Sequence, residues 1–229
     1  DASFIGLTRT SQADSEIRIR AGRDVILDGK AAPGAALNSL AAVADLRAGL
    51  TIDVLGNRNV ELRSDAILRA DDGDAATQNG VIRLEAGSTL TVQSDAFGGH
   101  EVYLWSGGDV LMQSQMTSGH LIDVRAGRGP SGVGSVITNL QTDIETLGSE
   151  INIFAGTNGG SLLLTDSAIY TAGPITLSAP AGSLIHSGGM IIADSLSATV
   201  RNNIEANLDV RTVSAASTST GSITLQTNG

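Results

Sequence analysis

Tyr103 and Trp105 stand two residues apart in EVYLWSGG, and Arg125 occupies the matching place one repeat further on. Residues two apart in an extended strand point to the same face, so both rings share a side while Val102 and Leu104 take the other. Exposed rings beside a guanidinium can stack on a sugar or anchor another protein; rings lying under a loop only pack. The pair holds half of the tyrosine and all of the tryptophan of the chain. Tyr103, Trp105 and Arg125 are therefore the candidate ligand or partner surface.

Other chemistry is sparser. His100 and His120 each lie six residues before a small residue, Ser106 and Ala126, which places them in stacked positions. A metal site needs three or four ligands, and only Glu101 and Asp123 lie nearby in sequence. His186 reads as a turn residue. Asp71-Asp72-Gly73-Asp74 is the densest acidic run, with oxygen donors that suit calcium but without the full spacing of a calcium loop, so it reads as a solvated turn. The chain has no cysteine, no G-x-S-x-G or H-E-x-x-H run and no phosphate-cradling loop. β-Helical lyases and hydrolases need carboxylates gathered on one face, whereas the repeat places the Asp residues mostly one per turn. No catalytic residue, cofactor or metal is expected.

These side chains must be positioned by a recurring element. VIRLEAGSTLTV, residues 81–92, is two alternating apolar runs joined by Ala86-Gly87. The spacing small-Gly-x-x-apolar-x-apolar also follows Ala21, Ala48 and Ser106, with looser copies at Val60–Leu68 and, after residue 120, from Ile122 to Ala206. Steps between the small residues are 27 from Ala21 to Ala48, 38 to Ala86, 20 to Ser106, 20 to Ala126, 29 to Ala155 and 24 to Ala179. A period near 20 with loop insertions at Asp28–Ala42 and Gly127–Gly148 accounts for them. Ile17, Ile19, Ala21, Val25 and Leu27 face inward, and Arg18, Arg20 and Asp24 face water. The outward position before each small residue collects Arg20, Arg47, Arg63, Glu85, Trp105, Arg125 and Phe154. Two residues earlier lie Arg18, Asp45, Glu61, Arg83, Tyr103, Asp123 and Asn152. That is a charge ladder on one face, each pair worth up to about 1 kcal/mol.

Two strand patterns plus turns in about 20 residues leave little room for a helix. A single repeat buries roughly five apolar side chains at about 1.5–3 kcal/mol each, against about 1–2 kcal/mol of backbone entropy for every residue fixed. Only stacked repeats fold. The expected fold is all-β, a right-handed parallel β-helix (solenoid) of about nine or ten coils with a few loop insertions, forming one segment over residues 1–229 that is expected to be part of a longer repeat array.

A net charge of −10 disfavours nucleic acid as a partner, and no apolar run reaches the roughly 18 residues of a transmembrane segment. SGGDVLMQSQMTSGHLIDVRAG and GSLLLTDSAIYTAGPITLSAPAGSLIHSGG resemble the shaft repeats of filamentous-haemagglutinin-type exoproteins of two-partner secretion systems. That resemblance implies a β-helical, non-enzymatic adhesin or fibre segment at the surface of a Gram-negative bacterium. It also implies an outer-membrane transporter as partner during secretion, adjoining coils of the same or neighbouring chains, and host or surface glycans or proteins as ligands. The Asn-Pro-Asn-Gly-Ile signature of the family's secretion domain is missing, which assigns these residues to the shaft. The alternative is a carbohydrate-binding or carbohydrate-cleaving β-helix using the face around Tyr103, Trp105 and Arg125.

Overall fold

The computed structural model describes residues 11–13, 16–27, 45–63, 66–70, 80–93, 96–139 and 142–227. The described residues are all-β: strands joined by short turns, with no helix, hence none long and apolar enough to cross a membrane. Every strand pairing is parallel and the strands form one 22-stranded sheet. The pairings fall into three ladders, which the chain visits in a constant order. The first ladder runs through Glu16–Ala21, Thr51–Gly56, Val81–Ala86, 101–106, 121–125, Glu150–Phe154, Pro174–Ala179, 195–200 and 212–217. These nine strands number the tiers used below. The second ladder runs from Val25–Leu27 to Ile223–Thr227. The third runs from Ser11–Ala13 to 208–210.

The register is strict, and side-chain shape explains it. In the first ladder the inward triplets are Ile52-Val54-Gly56, Ile82-Leu84-Ala86, Val102-Leu104-Ser106, Ile151-Ile153-Ala155 and Ile175-Leu177-Ala179, buried throughout. A one-residue slip would turn each triplet to water. The small third residue sits where the chain turns into the second ladder, and the glycine after it brings successive backbones close. Gly87 N–H donates to Gly56 O at 2.9 Å and Gly107 N–H to Ala86 O at 2.8 Å. A Cβ on Gly107 would collide with the Gly87 carbonyl oxygen. The three ladders surround a single aliphatic core.

Four expectations are corrected. Each pass carries three strands and not two. The third-ladder strands hold only one large apolar residue at their centre, as with Leu46, Leu68, Met116, Ile144 and Ile169, flanked inside by Ala, Ser or Thr. Ala48-Gly49 turns from the third ladder into the first, so Arg47 and Asp45 lie in the third ladder, Glu61 lies in the second and Arg63 directly follows it. The true partners of Arg18 and Arg20 in the next tier are Asp53 and Leu55. Gly127–Gly148 is not one loop: Val136–Thr138 and most of Thr142–Thr146 belong to the second and third ladders. Asp24 does not face water but is buried, with its carboxylate accepting from the Arg58 guanidinium and from Asn59 Nδ2 at 3.0 Å. The Arg58 hydrogen bond holds the Asp24 carboxyl below its usual range. The insertion at Asp28–Ala42 lies outside the described residues.

Candidate functional site

The outer face of the first ladder positions the aromatic pair. Tyr103 and Trp105 lie in tier four, with Arg83 and Glu85 opposite them in tier three and Asp123 and Arg125 in tier five. Alternation puts all six outside, as the sequence predicts. The rings meet edge to face, with centroids 5.3 Å apart. Asp123 points outward from its strand yet is buried, because larger neighbours cover it. It accepts from Arg125 Nε at 2.7 Å and Nη2 at 2.8 Å, and from Trp105 Nε1 at 2.8 Å. That hydrogen bond raises the Arg125 pKa further above its ordinary value. The Arg125 guanidinium also stands 5.0 Å from the Phe154 ring centre in tier six.

Tyr103 donates its hydroxyl to Glu101 Oε2 at 2.7 Å. Partial burial, reinforced by that bond to a carboxylate, pushes the phenol up to about 12. Glu150, two tiers from Glu101 in the same column, accepts from Asn152 Nδ2 at 3.1 Å.

Two arginines complete the cluster. Arg83 lies 5.5 Å from the Tyr103 ring centre and 5.2 Å from that of Trp105, and Arg128 lies 3.9 Å from the Trp105 ring centre. Neither makes an ion pair with a carboxylate among the described residues. Arg83 Nε is buried without an acceptor. Alternation marks Arg83 as outward facing; Arg128 escapes sequence reading because it follows Gly127, in a stretch without strand periodicity. The free positive charge therefore belongs to Arg83 and Arg128, whereas Arg125 is neutralised by Asp123.

His100 and His120 do stack, with ring centroids 5.0 Å apart and planes inclined by 13°. No group of three or more metal-ligating side chains occurs among the described residues. Asp71–Asp74 lies outside the described residues. His186 is not a turn residue. It sits inside the second ladder in Leu184–Ser187, below 2% exposed, between Leu164 and the next tier. Its Nε2 lies 2.9 Å from the Ser167 carbonyl oxygen, so Nε2–H donates there and Nδ1 is left as a buried acceptor without a partner. Burial lowers its pKa. The alternation Leu184-Ile185-His186 carries the signal, since inward Leu184 is followed two residues later by the histidine.

The cluster can hold an anion against an aromatic surface. Comparison of the chain with protein families, with curated proteins and with solved structures found no match.

Proposed function

We propose that the three ladders wind as a right-handed parallel β-helix and that the chain is a non-enzymatic shaft segment of a secreted bacterial surface adhesin or extracellular fibre. The supporting observation is the unbroken in-register parallel pairing of all three ladders, tier after tier. The right hand follows from the preference of parallel crossovers in twisted sheets. Each tier shares backbone hydrogen bonds with two neighbours and adds a layer to one core, so stiffness accumulates with length and no single site is needed. Side chains on the first ladder's outer face serve this role by tying tiers together, as Arg20 does with Asp53 and Arg125 with Phe154.

Immunogold electron microscopy with antibody raised to residues 80–227 tests the reading on intact cells of the source bacterium. Label along surface filaments is expected; label confined to the cytoplasm overturns it. Turnover of an acidic polysaccharide by the purified chain overturns the non-enzymatic part.

A further inference from the structure

We propose that Arg83, Trp105 and Arg128 form a binding patch for an acidic glycan, that is, a sugar ring bearing a carboxylate or a sulfate. This goes beyond the fibre reading and does not depend on it, since the patch occupies one flank of tiers three to five.

A guanidinium is a planar fork of donors matched to an oxyanion. On a chain of net charge −10, most described arginines of the first ladder are already neutralised: Arg18 by Glu16, Arg20 by Asp53, and Arg125 by Asp123. Arg83 and Arg128 are held instead by aromatic rings, both within 5.2 Å of the Trp105 centre. A ring contact fixes a guanidinium without using its in-plane donors; with Arg83 Nε buried, the terminal nitrogens of Arg83 and the fork of Arg128 stay available to an anion. Asp123 fixes the indole through Trp105 Nε1 and Glu101 fixes the Tyr103 hydroxyl, so the cluster is organised before a ligand arrives.

The surroundings select the rest of the ligand. In the tiers that follow, the outward positions are Asn152, Thr176 and Ser197 in one column, and Ser178 and Thr199 beyond Phe154 in the other. Uncharged donors and acceptors repeat there at about 4.8 Å, the spacing of neighbouring strands, which suits a hydroxylated chain lying along the ladder. Glu85, Glu101 and Glu150 border the patch and disfavour a nucleic acid, whose every unit is charged.

Trp105 is the only tryptophan, so selectively excited tryptophan fluorescence reports on this patch alone. The purified chain is titrated with hyaluronan, dextran sulfate and uncharged dextran at low salt. A saturable change with hyaluronan or dextran sulfate, absent with dextran, is expected; which of the two acts identifies carboxylate or sulfate. Arg83→Gln with Arg128→Gln is expected to weaken that binding at least tenfold, with circular dichroism unchanged. Arg128→Gln alone, in an exposed side chain outside the ladder, supplies the comparison should the double variant lose structure, with a loss of several-fold expected. No saturable change with either anionic polymer, an equal change with dextran, or undiminished binding by the variants overturns the proposal.

Discussion

Tiers one to five and tiers six to nine carry the same aliphatic core on the same ladders, but neighbouring tiers are tied together outside by different chemistry. In the first group the ties are long and charged: Arg20 to Asp53, Arg58 to Asp24, and Trp105 to the Asp123 carboxylate. In the second they are short and mostly neutral. Beginning at Asp109, whose Oδ1 accepts from Ser135 N–H at 2.7 Å, one chain of contacts climbs the edge of the second ladder. Ser161 N–H donates to Ser135 Oγ at 3.1 Å, Ser183 N–H to Ser161 Oγ at 3.1 Å, Asn203 N–H to Ser183 Oγ at 3.3 Å, and Ser222 N–H to Asn203 Oδ1 at 3.0 Å. The ion pair described there, Arg211 with Asp194, is exposed. Charge is thus one of two interchangeable ways to finish the exterior, because core register and backbone pairing already set the stack. Short hydroxyl side chains also lose less rotamer entropy on ordering than Arg does.

Backbone spacing common to both groups gives the largest expected effect. A Cβ at Gly107 in the first group, or at Gly182 in the second, would collide with a carbonyl oxygen of the preceding tier, whereas a Cβ at Gly22 meets nothing within 4 Å. Gly107→Ala and Gly182→Ala should each cost about 3 kcal/mol or more, and Gly22→Ala no more than about 0.5 kcal/mol. Urea unfolding checks all three. Unequal losses at Gly107 and Gly182 would mean that the two groups differ in their backbone and not only in their exterior.

Acid should separate the groups next. His186, in tier seven, has a lowered pKa because it is buried. The unfolded chain therefore takes up a proton at a pH where the folded chain does not, and stability falls as the pH drops below about 6.5. Asp24 in tier one is also lowered, through its hydrogen bond to Arg58. Its contribution persists to lower pH and is lost only as the pH falls below about 3.9 toward the folded value. Hydrogen exchange, corrected for the intrinsic pH dependence, should show residues 184–227 losing protection first. His186→Leu should remove that early phase. Simultaneous loss of protection along the whole chain would show that the tiers unfold as one unit.

Much of this arrangement is legible in the sequence, and the gaps have physical causes. Ile82, Leu84, Leu90 and Val92 alternate cleanly and flank a small-Gly pair, so their tier, its corner and its outward residues Arg83 and Glu85 can be read directly. The third ladder cannot, because one central apolar residue with buried Ser or Thr beside it gives no period: Thr146 Oγ1 donates to Thr171 Oγ1 at 2.7 Å entirely within the core. Nor does LLLT at 162–165 show which residues face inward, since Leu163 stacks between Ile137 and Ile185 on the outside. In the candidate site, Tyr103 and Trp105 follow from alternation, but whether an arginine is paired depends on register. Arg125 meets Asp123 on its own strand, while Arg83 meets two rings a tier away.

Removing one tie from each exterior compares them directly. Asp123→Ala takes away three charge-assisted hydrogen bonds and leaves the Arg125 and Trp105 donors to water, which should cost about 2 kcal/mol. Ser161→Ala removes the acceptor of one neutral hydrogen bond, from Ser183 N–H, and should cost no more than about 1 kcal/mol. Thermal unfolding of both variants checks the difference. Equal losses would dismiss the view that the charged exterior carries more of the stability of its tiers.

The smallest effect tests how tightly the aromatic cluster is closed. Tyr103 is pushed up to about 12, first by burial and then by its hydrogen bond to Glu101. A phenol raised in the folded state contributes stability that is fully present below its unfolded value near 10 and is lost as the pH rises through the folded value. Glu101→Gln removes the charge but not the burial, so the transition should move down while staying above 10. Ultraviolet absorbance of the phenolate, followed with Tyr103→Phe as the reference for the other tyrosine, measures it. If Glu101→Gln returned Tyr103 to the value of a free tyrosine, the ring would be solvated, and the cluster around Trp105 would be an open surface held together only by charge.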